Sequence, residues 1–292
     1  MDYGVPLAPV SLAGKSKNFI VDTGGYVSLL FPATVRELNL TRRNVALRII
    51  GVDGRTSNQV VRVPELGIGR LRAADVLFMV GTDNGEIQEG APAGLLGPDI
   101  LQNYDADFDF AAGKLNLIDP NHCEGDVVYW PAQAVAIVPF RFDSSFHIIV
   151  PVTIDGRRVE AMLDTGASST HLNLDVAQRL FDLDVNAPDV EKAGELQGKA
   201  YTATVFRRRF NSIALDGLVF NNPSIMLMPD MVRRELPRGP ATGSLLPEAG
   251  RPPGFPDLTL GMTELSKLHL YIAYKERRLY ITSESVDVSI PK

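Results

Sequence analysis

One cysteine, one tryptophan and four histidines in 292 residues leave little material for several kinds of chemistry. Cys123 stands alone, so no internal disulfide can form and the compartment stays open. His122, His147, His171 and His269 are scattered without metal-ligand spacing, which favours core or surface roles over zinc. No run approaches the roughly eighteen apolar residues that a membrane span requires. Residues 1–20 lack the charged-then-apolar pattern of a leader segment. Were a leader to precede them, an extracytoplasmic location, periplasmic or secreted, is expected. An excess of positive charge is also missing. The net charge is −6, which argues against a nucleic-acid surface. The one dense basic run, "FRRRF" at 206–210, reads as a solvated strand face. Neither a Gly-rich phosphate loop nor a Ser-His-Asp elbow is present.

What the sequence does hold is Asp-Thr-Gly twice, in "FIVDTGGYVSLL" (19–30) and "AMLDTGASSTHLN" (161–173). One such tripeptide arises by chance in about one chain in twenty of this length, so the flanks decide. Shifted by 142 positions, "PVSLAGKSKNFIVDTGG" (9–25) lies over "PVTIDGRRVEAMLDTGA" (151–167) without a gap. Shifted by 164, "LLGPDILQNYDADFDFAAGKLNLI" (95–118) lies over "TLGMTELSKLHLYIAYKERRLYIT" (259–282). Between them "VLFMV" (76–80) meets "SIMLMP" (224–229) at an offset of 149. The chain is a tandem duplication, its second copy lengthened in the middle and again just before Gly261.

Each copy reads as mostly β. Strand-length apolar runs bounded by Gly, Asp, Asn and Pro recur throughout. Two short helical patterns follow in each copy, one after Asp-Thr-Gly (32–39; 173–182) and one after Gly97 or Gly261. In the connecting stretch 120–142, "VVYW" and "AVAIVPF" look strand-like. "DADFD" (105–109) reads as a strand start with a solvated acidic face rather than a cation loop.

If the copies pair about a pseudo-two-fold axis, Asp22 and Asp164 face each other across it. Two carboxylates in near contact cannot both ionise easily, so the pair shares a proton. Such a pair can hold a water, with one member as general base and the other as general acid. The glycine after each Thr permits a tight turn, and the Thr hydroxyl can bond to the other lobe.

The paired motifs "FIVDTGG…GLLG" and "AMLDTGAS…LTLG" resemble the retropepsin-like, retroviral-type aspartic proteases, here as a single chain with two fused lobes in a pepsin-like layout. The resemblance covers nearly all of both copies. It implies a mostly β, bilobal acid-protease fold of two homologous β-barrel-like lobes, at 1–119 and 143–292, joined by 120–142. Asp22 and Asp164 match the catalytic pair, and Thr23 and Thr165 the residues that interlock the two loops. Gly24 and Gly166 match the turns, and Gly97 and Gly261 the glycines beneath them. Gly25 departs from the family's Ala or Ser, a tolerable change where the position needs only to be small.

The activity implied is aspartic endopeptidase, with no metal and no organic cofactor. A protein or peptide substrate is expected, without nucleic acid or a membrane span, in a monomer because both half-sites lie in one chain. The alternative is a silent peptide-binding protein on the same fold, disfavoured because both Asp residues are retained. Two flaps are implied, with Gly51, Val52 and Gly54 on one and Leu196, Gln197 and Gly198 on the other, closing over an extended substrate strand. Apolar pockets are expected from Leu29, Ile50, Val52, Leu95, Leu172, Leu196 and Leu260. With no hydroxyl donor at Gly25 or Ala167 to stabilise the charge, the pH optimum is expected to be mildly acidic. The proline-rich stretch 229–257 is expected at one rim of the cleft.

Overall fold

The computed structural model describes residues 4–50, 55–82, 90–132, 134–197, 202–229 and 256–290. Each copy opens with a hairpin whose two-residue turn has positive φ at both positions: Ala13-Gly14 (47° and 79°) and Asp155-Gly156 (46° and 76°). Turns of this hand match the right-handed twist of the strands they join.

In the first half the strands are β1 (Leu7–Leu12), β2 (Lys15–Val21), β3 (Leu29–Leu30), β4 (Arg43–Ile50), β5 (Thr56–Ile68), β6 (Leu71–Val80) and β7 (Gly94–Leu96). Their order is β1-β2-β7-β3-β6-β5-β4, and β1 also pairs with β5, closing six of them into a barrel. The barrel holds its own core, including Val10, Leu12, Phe19, Leu30, Phe78 and Leu96. Alternation along the strands places these inward.

After β8 (Asp105–Asp109), β9 (Lys114–Ile118), β10 (Ala136–Pro139) and β11 (Arg141–Phe142), the second copy repeats the plan. It runs β12 (Ile148–Ile154), β13 (Arg157–Leu163), β14 (His171–Asn173), β15 (Val190–Gln197), β16 (Thr202–Arg209), β17 (Ser212–Leu215), β18 (Leu218–Asn221), β19 (Ser224–Met228) and β20 (Leu258–Leu260). The chain ends with β21 (Leu268–Ala273), β22 (Arg278–Ser283) and β23 (Val288–Ser289). Parallel β13–β20 and β14–β19 reproduce β2–β7 and β3–β6. Where the first copy has the long strands β5 and β6, the second breaks each in two, β16/β17 and β18/β19. Pro223 lacks the N–H to continue a ladder, and Phe210 turns inward, 2% exposed, against Phe181. Short helices Pro32–Glu37, Pro98–Leu101, Leu174–Phe181 and Met262–Leu265 fall on the four expected segments. Among the described residues no helix is long and apolar enough to cross a membrane.

The halves meet in a third sheet, ordered β10-β22-β21-β8-β9. Tyr271 pairs with Asp107, its own equivalent at the 164-residue offset, while Leu270 pairs with Phe108 and Ile272 with Ala106. The pseudo-two-fold axis therefore passes through the Asp107–Tyr271 pair.

Two expectations are corrected here. "DADFD" has no solvated acidic face at Asp105 and Asp107, which are 1% and 0% exposed. Each carboxylate is buried because it is fully bonded. Asp107 accepts from Asn116 Nδ2 at 2.9 Å and from the Tyr129 hydroxyl, with His269 Nε2 2.7 Å from its other oxygen. Asp105 accepts from the Tyr271 hydroxyl at 3.2 Å and the Tyr274 amide at 3.1 Å, with His122 Nε2 at 2.6 Å. "VVYW" forms no strand; Val127 packs on Tyr271, Ala273 and Tyr280, and Trp130 stacks on His269 at 3.9 Å. "AVAIVPF" does contain a strand, β10, which pairs with β22. "FRRRF" is the solvated face expected: Arg207 pairs with Glu191 and Arg208 with Asp189.

Replacing Asp107 by Ala strips His269, Asn116 and Tyr129 of their shared acceptor. The expected loss is about 3 kcal/mol of stability, measured as a lower urea midpoint at unchanged slope.

Candidate active site

Each Asp-Thr-Gly lies on the loop leaving the strand of a β-hairpin, where the ladder ends and backbone groups are free to bond elsewhere. Asp22 N–H donates to Leu96 O at 2.9 Å and Asp164 N–H to Leu260 O at 3.0 Å, tying each loop to the next strand of its own lobe. The threonines then tie the lobes to each other. Thr23 Oγ1 donates to Leu163 O at 2.8 Å and accepts from Thr165 N–H at 3.0 Å. Thr165 Oγ1 donates to Val21 O at 2.6 Å and accepts from Thr23 N–H at 3.1 Å. Both side chains are buried, at 1% and 0% exposure, so all four bonds are shielded from water.

This interlock sets the carboxyls of Asp22 and Asp164 in mutual hydrogen-bonding contact. The turn glycines cross over: a Cβ on Gly24 would overlap the Asp164 carboxyl, and one on Gly166 would lie 2.5 Å from Asp22 Cγ. Only glycine fits either place. Gly97 and Gly261 pack beneath the loops, where a Cβ would sit 2.7 Å from Val27 C and against the Ser169 carbonyl respectively. Gly25 needs more than smallness: a Cβ there would come 2.8 Å from Asp22 Oδ2. Gly24 N–H donates to Asp22 Oδ1 at 3.0 Å, while Gly166 and Ala167 N–H donate to Asp164 Oδ1 at 2.8 and 3.1 Å.

Burial pushes the Asp22 carboxyl above the ordinary carboxylate range, against its hydrogen bond to Asp164 and the backbone N–H donors, which pull it down. Asp164 is raised further, first by burial and then by the neighbouring Asp22 charge. The pair is therefore suited to holding one proton between two oxygens.

Supports that motif reading missed lie just outside the tripeptides. Ser28 Oγ accepts from Gly97 N–H at 2.9 Å and donates to Asp99 at 2.7 Å; Thr170 Oγ1 accepts from Gly261 N–H at 3.0 Å. Thr263 Oγ1 accepts from Thr170 N–H at 2.9 Å, as Asp99 Oδ1 does from Ser28 N–H at 2.7 Å. The repeat offsets hold the signal, since Ser28/Thr170 and Gly97/Gly261 are equivalents.

The pocket reading needs a correction in the second copy. Leu172 and Leu260 are 0% and 1% exposed and belong to the core, as their equivalents Leu30 and Leu96 do. Side chains alternate along a strand, so a slip of one residue changes the face. Leu29 and Leu95, half-buried and paired with each other, have as equivalents His171 and Thr259, likewise paired. His171 is held below the ordinary imidazole range by burial. Leu196 is half-buried at the end of β15. Gly51, Val52, Gly54 and Gly198 lie outside the described residues, as do the side chains of Ile50 and Gln197 and most of 229–257. The last described pairs of hairpins β4–β5 and β15–β16 are Ile50↔Thr56 and Gln197↔Thr202. Among the described residues no group of three or more His, Cys, Asp or Glu could hold a metal.

The sequence matches the family described as aspartyl protease over residues 8–100 and 150–263, well over half of the chain and in two stretches, one per copy. Among solved structures it is similar to one described as a retropepsin-like aspartic protease from Rickettsia conorii. The two are 16% identical, with a TM-score of 0.35, and the match covers 53% of this chain and 96% of that one. No curated protein matches the sequence.

A raised carboxyl value stabilises the fold below its unfolded value, near 3.8, and that contribution is lost as pH rises through the folded value. Asp164→Asn removes the buried charge. It should unfold at a higher temperature than the native chain at pH 7, with the gap shrinking toward pH 3, as read by calorimetry across that range.

Proposed function

The chain belongs to the aspartyl protease family, and on that premise we propose that it is an aspartic endopeptidase in which Asp22 and Asp164 activate a water held between them. The observation that carries this reading is the hydrogen-bonded contact of two buried carboxyls, both raised, with one brought from each copy. The ionised carboxyl takes a proton from water as the water oxygen attacks the substrate carbonyl. The protonated carboxyl delivers its proton to the carbonyl oxygen. Proton return to the amide nitrogen then allows the carbon–nitrogen bond to break, giving a free acid and a free amine. The lobes are placed at 1–119 and 143–292, with 120–142 as their connection.

Substrate is proposed to lie extended between the hairpins β4–β5 and β15–β16, adding a strand whose main chain supplies affinity and whose side chains supply preference. Gly51, Val52, Gly54, Leu196, Gln197 and Gly198 are the flap positions assigned to cover it. The two halves of the cleft floor differ. One half offers half-buried Leu29 and Leu95, an apolar surface; the other offers half-buried His171 at the place of Leu29, with buried Thr259 beside it. An apolar side chain is therefore proposed on one side of the scissile bond, and a hydrogen-bonding one on the other.

Incubation with a mixed peptide library from pH 3 to 7 tests the reading. Cleavage is expected with a mildly acidic optimum, since both carboxyls are raised and neither Gly25 nor Ala167 has a hydroxyl to donate. Asp22→Asn and Asp164→Asn should each lower the rate by at least about a thousandfold while leaving the chain folded, and a chelator should change nothing. Cleavage retained in either variant, or a sharp optimum below about pH 3, contradicts the assignment.

A further inference from the structure

Strand pairing extends the face that carries each aspartate into a row of side chains, and the two rows differ. Val21 and Leu163 lie in the core. Alternation therefore puts Ile20 and Asp22 together on the opposite face of their strand, and Met162 and Asp164 together on that of theirs. Partners in register share a face. In the first copy the row runs Ile20, Leu95, Leu29 and Met79, apolar throughout. In the second it runs Met162, Thr259, His171, Met226 and Arg207. Two polar side chains interrupt this row at its middle.

Both have hydrogen-bonding capacity to spare. His171 Nδ1 lies 3.4 Å from Ser169 O. A carbonyl oxygen only accepts, so this contact places the proton on Nδ1 and leaves Nε2 of the neutral ring as an acceptor. It is the ring's one hydrogen bond among the described residues, and Thr259 Oγ1 has none there. Burial holds the ring below the ordinary imidazole range, and no carboxylate is bonded to it to retain a second proton. The other ionisable side chain of the row, Arg207, is engaged by Glu191 at 2.6 Å. Met226, next in the row, has no proton to donate. An open acceptor thus stands where the first copy presents Leu29.

We propose that His171 is the specificity-determining residue of the second half of the cleft: its Nε2 accepts a hydrogen bond from a substrate hydroxyl or carboxamide, with Thr259 Oγ1 beside it as a second polar contact. The inference rests on the protease reading above. Serine, threonine, asparagine or glutamine completes a bond that an apolar side chain would leave unmade on a half-buried ring. A carboxylate brings only acceptor oxygens, which meet the Nε2 lone pair, so aspartate and glutamate are turned away.

The test uses peptides varied at one position at a time, carrying Gln, Glu or the near-isosteric Met, and assayed at about pH 6.5, where Glu is ionised. At one position flanking the scissile bond the native chain should favour Gln over Met in kcat/KM by about tenfold, the scale of one neutral hydrogen bond. Glu should be cut most slowly. His171→Leu, which installs the residue of the first copy, should reverse Gln and Met at that position and leave the order elsewhere unchanged. His171→Gln, whose amide can donate as well as accept, should keep the preference for Gln and bring Glu up toward Met. A native chain that cuts but shows no such position overturns the proposal, as does a folded His171→Leu variant that keeps the native order. If His171→Leu does not fold, the Glu peptides decide: no gain in His171→Gln overturns it. Calorimetric binding of the same peptides to Asp22→Asn needs no turnover and separates the two readings. A native chain that cuts nothing refutes the protease reading alone if Gln still binds Asp22→Asn more tightly than Met, and refutes both if it does not.

Discussion

Four buried hydrogen bonds made by two threonines across the lobes hold the rest of the structure in place. Thr23 and Thr165 each give a proton to a backbone carbonyl of the opposite lobe and take one from the opposite amide. Neither bond set can form unless both loops leave their strands at the same angle and meet on the axis. Once they do, the positions of Asp22 and Asp164 follow, because each is the residue immediately before its threonine. The crossing glycines are the steric counterpart: Gly24 and Gly166 leave room for the opposing carboxyl where any side chain would collide.

The same axis imposes an electrostatic cost. Bringing two carboxyls together in a buried setting disfavours their ionisation, and backbone N–H donors only partly offset this. The fold tolerates the strain because its stability lies elsewhere: in a closed barrel with its own core, a second-lobe core continuous with the shared sheet, and the bonded aspartates of that sheet. Along the axis the chain thus places one acidic pair in need of a proton, Asp22 and Asp164. Farther down it places one aspartate, Asp107, both of whose carboxyl oxygens have hydrogen-bond partners. Residue type is the same, and the difference is made by what surrounds it.

Much of this was legible in the sequence, for a physical reason. A duplication shows every functional residue twice, so the Asp-Thr-Gly loops, the glycines beneath them, the four helices and most strands could be read by offset alone. What failed was local. Leu172 and Leu260 were one residue out of phase, because apolar neighbours such as "LTL" do not say which face is which; pairing with Leu30 and Leu96 does. "DADFD" read as solvated because acidic residues in sequence give no sign of donors that arrive from Asn116, Tyr129 and His269, up to 162 residues away. The histidines read as scattered for the same reason: His122 and His269 reach neighbouring aspartates of one sheet only after folding. The flap tips and the long insertion fall outside the described residues, so readings of them stand on the sequence alone.

The central claim is that the lobes are coupled through the threonine interlock and that the dyad depends on it. A double-mutant cycle of Thr23→Val and Thr165→Val, read by urea unfolding, tests it directly. Either single change breaks bonds on both sides of the axis. The second change should therefore cost markedly less than the first, with a coupling of about 1 kcal/mol or more. Strictly additive losses would mean that the two side chains act independently, and the account of how this site is assembled would be wrong.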